Sequence, residues 1–318
     1  MIRSALLALI AGTSAAPTAA EVLLSWPVDC DNGRTCFIED YVDATPGPGM
    51  SDFMCGLKSR DEHSGTDIAL LSDAQRLAGV DVLAAAPGRI AALRDGVEDR
   101  RMDNAEDISG IECGNAVRLD HGDGLQTLYC HLAKGSLTVA EGDSVERGQA
   151  LGRIGLSGQT NYPHLHFTVL RDGESIDPFD YEAAGICGAT APTLWEDAPP
   201  YVETGLFTAG FSNQVPEFSE VQNGDARVDS LAADTALVLY AHMFHAERGD
   251  VLHLEAKGPD RSVFDHSILV KTDDAQAFRA FGRRAPEEGW PSGDYTGTAR
   301  LMRGETVIAV RHAYVSVR

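Results

Sequence analysis

Pro163-His164-Leu165-His166-Phe167, read together with His63-Ser64-Gly65-Thr66-Asp67, decides how this chain is understood. Histidines at i and i+2 of a strand share one face, roughly 6.5–7 Å apart along the backbone. Imidazoles so placed can converge on one metal, or one can bind it while the other serves the chemistry. Pro163 is suited to opening a strand, and Phe167, Thr168 and Val169 to continuing it. His63 and Asp67 complete a His/Asp/His set of the kind that binds zinc and leaves a fourth position for water. Structural zinc sites are usually closed and cysteine-rich, so this composition points to catalysis.

The upstream pair needs a bend. On a straight strand, residues at i and i+4 lie about 13 Å apart, too far to share an ion. Ser64-Gly65-Thr66 makes a poor helix and a good turn, because Gly65 can take backbone angles denied to other residues. The expectation is His63 on a loop and Asp67 opening the strand Asp67-Ile68-Ala69-Leu70. Each histidine alone would read as an ordinary polar residue; the two motifs together do not.

Between them, Gly114 to Leu132 reads as a hairpin: an alternating strand, a Gly122-Asp123-Gly124 turn, and a second strand ending at Tyr129-Cys130-His131-Leu132. Val139 to Gly152 follows as short apolar segments punctuated by turn glycines. In this order and spacing, from about Asp61 to Phe179, the sequence resembles the lysostaphin/LytM-type zinc endopeptidases. The resemblance implies an all-β, mainly antiparallel fold, a LytM-type β-sandwich with a narrow groove and a zinc ion (Zn2+) at its floor. Carried over by position, His63, Asp67 and His166 would be the metal ligands. His131 and His164 would be the catalytic histidines beside the metal's water, with nothing in the sequence to separate their roles. The residue after His-Leu-His-Phe is often Glu in that family and is Thr168 here; an effect on local polar contacts is expected, without loss of activity. Leu71 to Val82 and the acidic stretch Asp95 to Glu112, with Asp103 to Asp107 at its centre, are long connections. They read equally as groove walls or as solvated loops.

Arg3, the apolar run Ala5 to Ala11 and the small residues through Ala20 read as a secretory signal peptide (1–20), the apolar run being too short to span a bilayer. Cleavage near Ala20 would leave an unlipidated protein in the periplasm, or secreted. Six cysteines fit export. Cys113 and Cys130, on the two hairpin arms, and Cys30 with Cys36, a small loop, are the favoured pairs among fifteen connectivities. Cysteine ligands are not expected in the zinc site, since strand neighbours such as Cys130 and His131 face opposite sides.

At 318 residues, two domains are expected. A cysteine-containing segment (21–55) precedes the endopeptidase domain (56–188), a linker (189–200) and an immunoglobulin-like β-sandwich (201–318). The last is expected from the alternating strands at 236–242, 251–256 and 306–315, with one short helix at Asp274 to Phe281. His242, His245 and His253 read as ordinary polar strand positions, and Phe207, Phe211 and Phe244 as sandwich core. The hydrophobic share of 43% suits ordinary cores, and a net charge of −22 excludes nucleic acid as partner. No later segment is apolar enough to span a membrane. The expected substrate is the peptide of peptidoglycan, the compartment favouring its D-alanyl–diaminopimelate cross-link. A non-catalytic LytM-fold regulator activating another hydrolase, or a secreted protease acting on proteins, are the alternatives. The C-terminal domain is the candidate surface for a protein partner.

Overall fold

A computed structural model of the protein describes residues 22–102, 108–182, 187–188 and 192–318. The signal-peptide reading (1–20), the acidic centre Asp103–Asp107 and part of the expected linker lie outside the described residues. Strands run antiparallel nearly throughout, and helix is confined to two six-residue segments among the described residues. No helix there is long and apolar enough to cross a membrane.

The first half folds around one large sheet. In chain order its region contains β1 (Cys36–Asp40), β2 (Thr66–Leu70), α1 (Asp73–Ala78), β3 (Asp81–Leu83), β4 (Gly88–Arg94), β5 (Asn115–Gly122) and β6 (Leu125–Leu132). These are followed by β7 (Ser144–Val145), β8 (Ala150–Arg153), β9 (His164–Arg171) and β10 (Glu174–Ile176). The sheet order is β1-β2-β9-β6-β5-β4-β7, with β10 on β9, and β3 pairs separately with β8. Strand period places the chemistry. On β9, Leu165, Phe167 and Val169 enter the core with Ile68 and Leu70 of β2, and with Tyr129 of β6. Their neighbours His164, His166 and Thr168 therefore face the other side. The register pairs Asp67 with His166 across β2 and β9, which puts both side chains on that side.

Residues preceding the endopeptidase match are part of this sheet. β1 adds an edge beside β2, with Asp40 opposite Asp67, and the pairing slips between Ile38 and Asp40. Disulfides join Cys30 to Cys36 and Cys113 to Cys130, as expected, and Cys55 to Cys187.

The second half holds β11 (Gly205–Ser212), α2 (Phe218–Asn223), β12 (Ser230–Leu231), β13 (Leu237–Ala246) and β14 (Val251–Lys257). β15 (Ser262–Leu269), β16 (Asp274–Arg283), β17 (Gly293–Arg303) and β18 (Thr306–Val317) complete it. A sheet of order β11-β13-β16 and one of order β12-β18-β17-β14-β15 enclose a core that includes Phe211, Leu239, Leu254 and Leu301. The helix expected at Asp274–Phe281 is instead β16, in register with β13 from Leu237 to Ala246. Ala, Gln and Arg favour helix locally, but pairing and burial on a sheet override a preference of tenths of a kcal/mol per residue. Phe207 and Phe244 are also corrected. They leave the sandwich core and pack with Phe37, Ala69 and Tyr162 of the first half in a shared apolar seam.

Candidate metal centre

Five side chains from three strands and a loop converge on the open side of the first sheet. Among the described residues, one trio of candidate ligands brings its donor atoms within 4.8 Å of one another: His63, Asp67 and His166. His63 Nε2 stands 3.2 Å from His166 Nδ1 and 3.2 Å from Asp67 Oδ2, and His166 Nδ1 stands 2.7 Å from Asp67 Oδ1. Two imidazole nitrogens and one carboxylate, mutually adjacent and nearly buried, fit a zinc ion with one position left over.

The tautomers are set by neighbours. His63 Nδ1 donates to the carbonyl of Tyr41 at 2.6 Å, which leaves Nε2 with its lone pair toward the trio. His166 Nε2 lies 3.1 Å from Thr168 Oγ1, so its Nδ1 is the nitrogen turned toward Asp67. Thr168, expected to affect only local contacts, thus holds a candidate ligand directly, as outer partners of metal-bound histidines do.

His131 and His164 stand beside the trio, their rings 4.7 Å apart, with His131 5.9 Å from His166. His131 Nδ1 donates to the Ser157 carbonyl at 2.8 Å, and His164 Nδ1 to the Tyr162 carbonyl at 2.8 Å. Both Nε2 atoms therefore carry the lone pair, that of His164 lying 3.5 Å from Asp67 Oδ1. Burial lowers the pKa of both; for His131 the charges of His164 and His166 lower it further. Burial pushes the Asp67 carboxyl up, but His63, His164 and His166 outweigh it and hold it well below the usual range. For His63, burial pulls downward and Asp67 more than reverses it, raising the imidazole.

Two local features were misjudged from sequence. Strand alternation was expected to turn Cys130 and His131 to opposite sides. Cys130 is in fact the register partner of His166, and His131 reaches the site because its φ of 62° leaves the strand conformation. Cys130 is excluded as a ligand by its disulfide instead. Gly65 was expected to be needed for its backbone angles. Its φ is not in the left-handed region; a Cβ there would stand 2.7 Å from His166 Cε1 and Nε2. The glycine is required because the imidazole occupies that space.

Arg60 was missed. Its Nη2 donates to Asp67 Oδ2 and approaches His63 Nε2 at 3.0 Å, while its Nε lies 3.3 Å from Asp40 Oδ2. A lone arginine three residues before a histidine carries no sequence signal, because its role depends on the slip in β1. Arg101, in the connection expected as groove wall or solvated loop, donates to Asn223 Oδ1 of α2 at 2.7 Å. His242 and His253 do not join the site. His242 is buried beside Phe207 and Tyr162, and burial lowers its pKa to about 3. His253 Nε2 lies 2.6 Å from Asp265 Oδ1.

Residues 61–178 match the family model described as Peptidase family M23. DD-carboxypeptidase/endopeptidase Mpg of Neisseria meningitidis serogroup B is 38% identical over 65 residues, covering 20% of this chain and 14% of that protein. Peptidoglycan DD-endopeptidase ShyC of Vibrio cholerae serotype O1 is 30% identical over 128 residues, covering 39% of this chain and 28% of that protein. The catalytic domain of lysostaphin from Staphylococcus simulans aligns at 24% identity and a TM-score of 0.29, covering 44% of this chain and 86% of that one. The chain thus spans well under a third of the length of the curated relatives named here. Sequence motifs and family match agree on the same stretch: residues 61–178 are similar to Peptidase family M23.

Proposed function

We propose that this chain is an exported zinc endopeptidase that cuts peptide cross-links of peptidoglycan, with the D-alanyl–diaminopimelate bond as its target. The observation that carries the reading is the convergence of His63, Asp67 and His166 with two further histidines held by Nδ1, which leaves Nε2 of each as the basic atom. His63 Nε2, an Asp67 carboxylate oxygen and His166 Nδ1 would hold the ion. When bound there, zinc supplies Lewis acidity and draws the pKa of water toward neutrality.

The remaining chemistry belongs to the protein. His131 and His164, whose pKa burial lowers, offer Nε2 as acceptor for the proton of the attacking water. The imidazolium so formed steadies the negative oxygen developing at the scissile carbonyl, then returns the proton to the departing amine as the C–N bond breaks. Tyr162 and Ser157 carbonyls hold these rings by Nδ1, so the proton enters and leaves at one atom of each. The name of ShyC, a peptidoglycan DD-endopeptidase, supports the wall peptide as substrate. A complete set of five side chains favours catalysis over the regulator reading.

Incubation of a purified cross-linked muropeptide dimer with the zinc-loaded full chain, followed by mass analysis, tests the bond. Monomers ending in D-alanine, with a freed diaminopimelate amine, are expected. Cleavage elsewhere in the peptide would reassign the bond, and an intact dimer would overturn the reading.

A further inference from the structure

The candidate metal centre does not end at the first half of the chain. Asp67 Oδ2 accepts from Arg60, Arg60 Nε lies 3.3 Å from Asp40 Oδ2, and Asp40 Oδ1 lies 3.1 Å from His245 Nε2. His245 belongs to β13, in the second half. Three contacts therefore connect a metal-ligand carboxylate with the C-terminal sandwich. Asp67 and Asp40 are both almost fully buried, so neither can exchange these partners for water cheaply.

Two irregularities make the connection, one on each strand. In β1 the register slips between Ile38 and Asp40, which puts Asp40 on the side of Asp67. In β13 the register with β16 holds from Leu237–Arg283 through Ala246–Asp274, but His245 within it has a φ of 44°. A left-handed, non-glycine residue in a strand is strained and persists only when its surroundings require it. The bulge in β1 and the left-handed residue in β13 each re-aim one side chain out of the pleat. Thr204 Oγ1 donates to the His245 carbonyl at 2.8 Å and fixes the departure. Around this polar line lie apolar side chains: Phe37 meets Phe207 and Phe244, and the buried Lys58 amine sits 4.7 Å from the Phe244 ring centre.

We infer that Arg60, Asp40 and His245 are positioning residues of the metal centre, and that the C-terminal sandwich is a working part of that centre through His245. The inference rests on the metal-site reading above. Arg60 holds Asp67 by Oδ2, the oxygen that also stands 3.2 Å from His63 Nε2, and so sets the turn of the carboxylate that brings Oδ1 to His166. Asp40 and His245 keep Arg60 in that pose. The sandwich thus acts on the hydrolytic domain by orienting one ligand, whatever else it contacts.

The test is the zinc dissociation constant of the full chain, by competition with a chromophoric chelator, alongside the melting temperature of the metal-free protein. Removal of an outer partner typically weakens metal binding 10- to 100-fold. About tenfold is expected for His245→Ala and for Asp40→Asn, and His245→Gln, which keeps a donor, should recover most of it. Arg311→Ala serves as control: it strips a cation from Phe37 and a bond to the Gly33 carbonyl in the same seam, with no route to Asp67. It should lower the melting temperature and leave zinc affinity unchanged. Wild-type affinity in both His245→Ala and Asp40→Asn, or equal weakening in Arg311→Ala, overturns the inference. No zinc binding by the wild type would instead overturn the metal reading on which it depends.

Discussion

Gly65 and His166 occupy one another's space: a Cβ on Gly65 would lie 2.7 Å from the imidazole of His166. The loop that carries His63 and the strand that carries His166 can close on a common point because one residue has no side chain.

Gly65→Ala should therefore damage the metal centre more than the fold. Overpacking of this size costs about 1–3 kcal/mol, and the Phe167 carbonyl oxygen, 2.9 Å from the same Cβ, also crowds it. A folded protein with zinc affinity at least tenfold weaker is expected by chelator competition. Wild-type affinity would show that the loop simply moves away.

His131→Ala and His164→Ala separate proton transfer from metal binding. Neither side chain is in the trio, so both variants should bind one zinc per chain. Loss of a positioned base costs about 10²- to 10⁴-fold, and kcat should fall within that range with KM little changed. Zinc loss in either variant would move that histidine into the ligand set.

Glu39, on the slip of β1, gives a pH signature. Burial first, then the charges of Asp40 and Asp67, raise its carboxyl to about 8, only partly offset by Gln276 and Arg60. Its folded pKa lies above its ordinary 4.5, so its contribution to stability is full below 4.5 and is lost as pH rises through about 8. Glu39→Gln keeps the acceptor for Gln276 and removes the titration. Urea midpoints should be similar at pH 4 and higher for the variant at pH 8.5. Equal midpoints at both would show that Glu39 is not held protonated.

The Cys55–Cys187 disulfide spans 132 residues, whereas Cys30–Cys36 spans 6. Constraint of the unfolded chain grows with the loop closed, toward roughly 4–5 kcal/mol for loops of that length. Replacing the Cys55–Cys187 pair by serine should lower stability by about 2–5 kcal/mol, and more than replacing Cys30–Cys36, as read by denaturant melts under non-reducing conditions. The reverse ranking would show that the long loop is already constrained in the unfolded chain.

How much was legible in the sequence follows the range of each interaction. Strand period alone put His164 and His166 on one face, and the glycine turn placed the hairpin that delivers His131. Local rules failed where tertiary contacts decided. Asp274–Phe281 has helix-favouring residues but pairs with β13; Phe207 and Phe244 have the period of a sandwich core but face Phe37 across the seam. Arg60, Asp40 and His245 were invisible because their meeting needs a bulge in β1 and a left-handed His245 in β13, neither of which has a dependable residue signature. The reason for Gly65 was equally hidden, since the atom it avoids is on His166.

Release of soluble fragments from purified peptidoglycan is the measurement that bears most directly on zinc-dependent wall hydrolysis. Zinc-loaded wild type, a chelator-treated sample and His166→Ala would be run side by side and resolved by mass. Conversion of dimers to monomers by the loaded wild type alone is expected. Undiminished dimers with loaded wild type, or equal conversion by His166→Ala, would contradict it.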